Sequence, residues 1–255
     1  MKLSERQNDI LNWIRREGFL AIDMLASHYG VTTQTIRRDI NALCDSGLLR
    51  RVHGGVRLPS AYENLSFFTR QVLNARAKQA IAERLVKDIP DGSSLFLGIG
   101  TTVEYVAKAL LKHKGVRVMT NNLNVAAILC ANKAIGVDVS GGQLRHDDRD
   151  LVGGEAVAFF NGFHVDFGII GAGGLDPRRG LLDFQPAEAQ VTRAIVKNSR
   201  QCFLVADESK WQRQAVVRVA EFSEIDAFYT DADPGADIRR LLKEKGVSLC
   251  IAENP

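Results

Sequence analysis

Residues 31–58, VTTQTIRRDINALCDSGLLRRVHGGVRL, decide how this chain is to be read. Thr32 is placed to cap a helix running through TQTIRRDINALCD, because its hydroxyl can accept from a free N–H of the first turn. In that helix Ile36, Ile40 and Leu43 share a face and must be buried, so at 100° per residue the opposite face carries Gln34, Arg38 and Asn41. Gln and Asn suit adenine bidentately and Arg suits guanine, which is the chemistry of a recognition helix in a major groove. Thr33 opens the helix and belongs with these candidates, while Thr35 and Arg37 flank the face where phosphate contacts are natural. The following LLRRVHGGVRL reads as two short strands joined around His53, Gly54 and Gly55, a wing offering Arg50, Arg51, His53 and Arg57 to phosphates or the minor groove.

Upstream, Ile10, Leu11 and Ile14 form one apolar helical face, and IDMLASHYG repeats Ile22, Leu25, Ala26 and Tyr29 at i, i+3, i+4 and i+7 before Gly30 breaks the helix. A lone polar helix face is commonly just solvated. Here residues 1–58 hold nine Lys/Arg against six Asp/Glu, and five of the nine basics lie on the third helix or the wing. The positive charge therefore falls where duplex DNA would need it.

Arg6, Ile10, Ile14, Thr32, Thr35, Ile36, Arg37, Arg38, Asp39 and Ile40, with the wing element RRVHGG, resemble the helix-turn-helix signature of the DeoR (deoxyribose operon repressor) family at its spacing. Family members more often carry Ser where Thr32 stands, a change that leaves the capping hydroxyl intact. Asp39 is expected to orient the neighbouring arginines or pair within the domain, since a carboxylate repels phosphate.

From about residue 75 the pattern changes. SLFLGIG, VRVMTNN, VDVSGG, DFGIIGAGG, CFLVADES and DAFYTDA are short apolar runs that mostly end in small or polar residues, as buried parallel strands do. Helical patterns such as TVEYVAKALLKH, NVAAILCAN and PAEAQVTRAIVKNS lie between several of them. The expected organisation is a winged helix-turn-helix over 1–58, a linker or packing segment over 59–74, and an open, mostly parallel α/β sheet over 75–255. Its ligand site should lie beyond the carboxyl ends of the strands.

At one such end, LFLGIGTTVEYVAKAL sets Gly98, Gly100, Thr101 and Thr102 between a strand and the first turn of a helix, where N–H groups are free and the dipole is positive. Glycines admit an anion to the backbone and the hydroxyls donate to it, so the turn suits phosphate. It is neither GxxxxGK[ST] nor a full GxGxxG, which disfavours a nucleoside triphosphate. Asn121 and Asn122, Gly141 and Gly142, and Gly171 and Gly173 end other strands on the same expected edge, with Arg145 and Lys210 placed to donate charge-assisted bonds.

IGTT, TNNLNVA, SGGQLR, VDFGIIGAGG and ADESK resemble the DeoR-family sensor domain, itself similar to ribose-5-phosphate isomerase, over about residues 75–231. The likeness is greatest to the branch that represses glycerol-3-phosphate regulons. It implies release from operator DNA by a phosphorylated sugar or polyol: glycerol 3-phosphate, or another sugar phosphate, a modified or sulfonated one included. Two departures line the expected pocket. Many relatives have Asp at the position of Gly98, and an FDYxE-like segment where Asp183, Phe184, Gln185, Pro186 and Ala187 stand here.

The competing function is a sugar-phosphate isomerase, for which Asp207, Glu208 and Lys210 would supply base and stabilising groups; the DNA-reading segment and the missing acid at Gly98 argue against it. A second domain that only oligomerises the DNA reader is a third. Cys44, Cys130, Cys202 and Cys250 form no CxxC pair, so reduced thiols, no metal and no cofactor are expected. The amino terminus lacks an apolar signal core and no run approaches a membrane span, so a cytoplasmic protein without a membrane partner is expected. One short recognition helix reads few base pairs, which implies a homodimer or homotetramer joining half-sites.

Overall fold

The computed structural model describes residues 3–60 and 64–252, in two compact units that divide between Leu73 and Asn74. The first begins with α1 (Glu5–Glu17), closed by a reciprocal cap in which Gln7 N donates to Ser4 Oγ at 3.2 Å and Ser4 N to Gln7 Oε1 at 3.0 Å. Then come β1 (Phe19–Ala21), α2 (Ile22–Tyr29), α3 (Thr33–Asp45), β2 (Arg50–Val52) and β3 (Gly55–Arg57). Gly30 ends α2 at φ 62°, and Thr32 Oγ1 accepts from Thr35 N at 3.3 Å to start α3. Ile10, Ile14, Leu25, Ile36, Ile40 and Leu43 bury the facing sides of the three helices.

The wing has one strand more than the sequence pattern indicates. β1 pairs with β3 to give the order β1-β3-β2, and any side chain at position 55 would strike Leu20 O. The segment expected as a linker also carries structure. Residues 61–63 lie outside the described residues, but Ser66 caps α4 (Phe67–Val72), Thr69 donates to Ser46 O, and Val72 and Leu73 pack on the helical core.

The second unit starts with α5 (Ala75–Leu85) and then follows the order β4 (Ser94–Leu97), α6 (Thr101–Leu110), β5 (Arg117–Thr120), α7 (Leu123–Leu129), β6 (Gly136–Val139). A hairpin, β7 (Gln143–Arg145) and β8 (Asp150–Val152), leads into α8 (Gly154–Asn161) and β9 (Val165–Ile170). The remainder is β10 (Gly174–Asp176), β11 (Gly180–Asp183), α9 (Pro186–Lys197), β12 (Ser199–Val205), β13 (Val217–Ala220), β14 (Ala227–Thr230), α10 (Ala236–Glu244) and β15 (Ser248–Ile251).

Seven strands form one parallel sheet, ordered β15-β14-β12-β9-β4-β5-β6. Alternation along β4 sends Leu95 and Leu97 to the face covered by α5, α6 and α7, and Phe96 to the face covered by α8, α9 and α10. Strand order reverses between β4 and β9. At such a switch point the connecting loops part and leave a crevice beyond the carboxyl ends of the strands. The β7–β8 hairpin and the antiparallel β10-β11-β13 sheet are additions to the parallel frame.

Candidate functional site: a DNA-reading face and a switch-point pocket

On α3 the side chains of Thr33, Gln34, Arg37, Arg38 and Asn41 are exposed, and Thr35 is half-buried at the cap. Asp39 does not orient its neighbours. It is buried and accepts from Arg6 Nε at 2.6 Å and Gln7 Nε2 at 3.5 Å, so it anchors α3 to α1 and leaves Arg37 and Arg38 facing solvent. Arg50, Arg51, His53 and Gly54 are exposed on the wing, with Gly54 at φ +76°, a backbone value suited to glycine in a tight turn. Arg51 donates to Asn41 Oδ1, so the wing and the recognition helix are joined through the side chains expected to meet DNA.

At the switch point, Gly100 adopts φ 119° and a Cβ there would meet nothing within 4 Å, so this turn into α6 opens onto free space. Thr101 and Thr102 are buried in the first turn of α6. Gly98 plays another part: a Cβ there would lie 3.3 Å from Ile195 Cδ1 and 3.5 Å from Ile169 O, so glycine lets α9 approach β4 closely. The loop after β9 closes the crevice. A Cβ on Gly171 would come 3.2 Å from Ile99 O, and one on Gly173 would come 2.9 Å from Asp183 Oδ1. The loop after β9 therefore touches the turn before α6 at one residue and the Asp183 carboxylate two residues later.

Asp183 belongs to a cluster that the sequence reading did not assemble. Arg145 donates to Asp150 from Nε at 3.0 Å and from Nη2 at 2.9 Å, pairs with Asp148 at 3.3 Å, and also holds Glu188. Arg145 is thus committed to three carboxylates. Burial and the adjacent Asp183 push the Glu188 carboxyl up to about 8, against the pull of Arg145. Asn122 caps α7, accepting from Asn124 N at 2.9 Å and Val125 N at 3.3 Å. Asn121 Nδ2 donates to Leu151 O at 2.8 Å, while its buried Oδ1 has no partner among the described residues.

Lys210 lies beyond β12 beside Asp207. Burial alone would raise the Asp207 carboxyl, but Lys210, Ser209, Lys78 and Asn74 together hold it below its ordinary value. Asn74 Nδ2 reaches Asp207 Oδ1 at 2.9 Å, which leaves Asp207 occupied by structural partners and Glu208 exposed. Lys78 is itself buried. Gly142, at φ +131°, lets the β7–β8 hairpin close on Val152 O, and Gly141 beside it is exposed. Four strand spacings of about 4.8 Å separate β12 from β6, roughly 19 Å. A sugar phosphate seated at Gly100 cannot reach the ends of both strands.

Glu188 and Lys78 were detectable. Glu188, Val191, Thr192 and Ile195 occupy the buried face of α9, and Lys78, Ile81, Ala82 and Leu85 that of α5, so each charge stands at a core position of a helix. Among the described residues no group of His, Cys, Asp or Glu is arranged to hold a metal, and no helix is long and apolar enough to cross a membrane.

The DeoR-like helix-turn-helix domain matches residues 6–61, and the DeoR C terminal sensor domain matches residues 73–232. The chain is 40% identical to the glycerol-3-phosphate regulon repressor of Escherichia coli K12, covering 98% of this chain and 99% of that protein. Identity to the repressor of the same name from Haemophilus influenzae is 42%, covering 98% of each, and to the E. coli HTH-type transcriptional repressor CsqR it is 37%, covering 97% and 95%. Among solved structures, ribose 5-phosphate isomerase A of Methanocaldococcus jannaschii aligns at TM-score 0.39 and 17% identity over 54% of each chain. The sorbitol operon regulator SorC of Klebsiella pneumoniae aligns at TM-score 0.41 and 11% identity, over 94% and 99%. With reader and sensor matched in order on one chain, and near full-length identity to repressors of this kind, the protein belongs to the DeoR family.

Proposed function

We propose that this chain is a DNA-binding transcriptional repressor of a carbohydrate or polyol catabolic operon, released from its operator by a phosphorylated sugar or polyol such as glycerol 3-phosphate. The observation that carries this reading is the Gly100 turn at the switch point, open to space and followed by two buried threonines, on a chain whose recognition helix is exposed. First-turn N–H groups, hydroxyls and the helix dipole favour an anion there. The Asp183 carboxylate, set against Gly173 in the same loop, offers an acceptor that suits hydroxyl-bearing carbons, with Glu188 hydrogen-bonded beside it. The named functions of the near full-length relatives support the same assignment.

An enzymatic role is not part of this proposal, because Asp207 is held by Asn74 and Ser209 rather than presented to a substrate. The working form is a cytoplasmic homodimer or homotetramer that pairs recognition helices on half-sites about one helical turn apart. Light scattering tests this, and a monomer both free and on DNA would refute it. The function itself is tested by following release of labelled operator by fluorescence anisotropy against phosphate esters and their unphosphorylated parents. Esters alone should release the DNA; equal action by the parents would refute the phosphate reading.

A further inference from the structure

We propose that Asn41 and Arg51 read one base pair as a unit, and that the tie between them selects guanine where Asn41 alone would select adenine; this rests on the DNA-reading assignment made above. The two residues come from different elements. Asn41 projects from α3 and Arg51 from β2, both are exposed, and Arg51 Nη2 donates to Asn41 Oδ1. The half-buried thiol of Cys44, one turn further along α3, lies near the same guanidinium: burial raises the thiol's pKa and the guanidinium draws it down against that effect. In this arrangement the arginine is directed toward the recognition helix.

Bidentate recognition of adenine requires asparagine to accept from N6–H and donate to N7. With Arg51 already donating to Oδ1, the adenine amino group would be a second donor converging on that oxygen, next to a fixed positive charge. Oδ1 keeps its second lone pair, but beside the guanidinium charge, and the other groups the pair presents are donors: the Asn41 amide hydrogens and the remaining N–H groups of Arg51. Guanine presents two acceptors, N7 and O6, on its major-groove edge, and no donor there. The tied pair thus matches guanine and opposes adenine.

The test is selection of binding sites by the full-length chain from a randomised duplex library, repeated with Asn41→Ala, Arg51→Ala and Arg51→Lys. The wild type should show one position with guanine preferred by about tenfold. Asn41→Ala and Arg51→Ala should both erase that preference at the same position, and Arg51→Ala should move it toward adenine as the released amide regains its acceptor. Arg51→Lys, which keeps the charge and a donor to Oδ1 but loses the guanidinium fork, should weaken the guanine preference and overall binding less than Arg51→Ala does. The proposal is overturned if Arg51→Ala lowers affinity for all sequences alike with unchanged base preferences, or if the two alanine variants alter different positions. Adenine selected by the wild type at the Asn41 position also overturns it. Failure of the wild type to enrich any sequence refutes the DNA-reading assignment itself, and this inference with it.

Discussion

Arg38 and Arg145 are the same residue put to opposite uses by the two units. Arg38 stands in solvent on α3, while the Arg145 side chain is 14% exposed and held among Asp148, Asp150 and Glu188. A DNA-reading face must be presented intact to its partner, so its polar groups contribute little to the fold and its specificity can change at small cost in stability. A small-ligand site must instead surround its ligand, so its charges are buried, must neutralise one another, and are tied to the folding of the unit.

The sharpest way to break this comparison is to remove each arginine in turn. Arg145→Ala leaves buried carboxylates uncompensated and should destabilise the second unit by about 3–5 kcal/mol, seen as a lower midpoint in denaturant unfolding. Arg38→Ala should change stability by no more than about 0.5 kcal/mol, yet cost about 1–3 kcal/mol of discrimination between operator and competitor DNA. Similar midpoints for the two variants would dissolve the contrast.

The buried cluster should also respond to pH where the exposed face does not. Because the folded Glu188 carboxyl lies at about 8, above its ordinary 4.5, the folded state binds this proton more tightly than the unfolded chain. Its stabilising contribution is complete below about 4.5, declines as pH rises and is lost through about 8. Asp207, held low, contributes in the opposite sense in both proteins, so the readout is the stability of wild type minus that of Glu188→Gln, which should become steadily more negative as pH rises across that window. A difference that stays constant or moves in favour of wild type contradicts the assignment.

Replacing both hydroxyls of the cradle, Thr101→Val with Thr102→Val, should lower effector affinity more than tenfold, since each charge-assisted bond contributes about 1.5–3 kcal/mol. Operator binding without effector should persist. A smaller effect is expected from the acceptor-rich side: a phosphate ester ending in CH₂OH should bind about tenfold, or roughly 1.4 kcal/mol, more tightly than its carboxylate counterpart. Glycerol 3-phosphate against 3-phosphoglycerate in calorimetry makes that comparison, and equal affinities would remove Asp183 and Glu188 from the site.

What could be read in the sequence follows the same division. The helix-turn-helix was legible because α3 is regular, its period separates buried Ile36, Ile40 and Leu43 from exposed Gln34, Arg38 and Asn41, and Thr32 caps it locally. The six strands with continuous apolar runs were legible for a like reason. The β7–β8 hairpin, β10, β11 and β13 were not, being three or four residues long without continuous apolar runs, and β13 pairs with β11 from far along the chain. In the sensor, Gly100, Thr101 and Thr102 could be found because strand, turn and helix are contiguous. The buried partnership of Arg145 with Glu188 was not legible, because Glu188 reaches it from α9 only through tertiary packing, and α4 was hidden in a segment without clean periodicity.

Coupling between the two units is the central claim, and linkage makes it measurable from either side. Effector affinity should be determined by calorimetry on the chain alone and on the chain saturated with a selected operator duplex. If the effector releases the repressor, the operator must weaken effector binding by the same factor by which the effector weakens operator binding. A typical coupling would be about 5- to 150-fold. Equal effector affinity with and without DNA would contradict a ligand-released repressor, and tighter binding on DNA would reverse the direction of control.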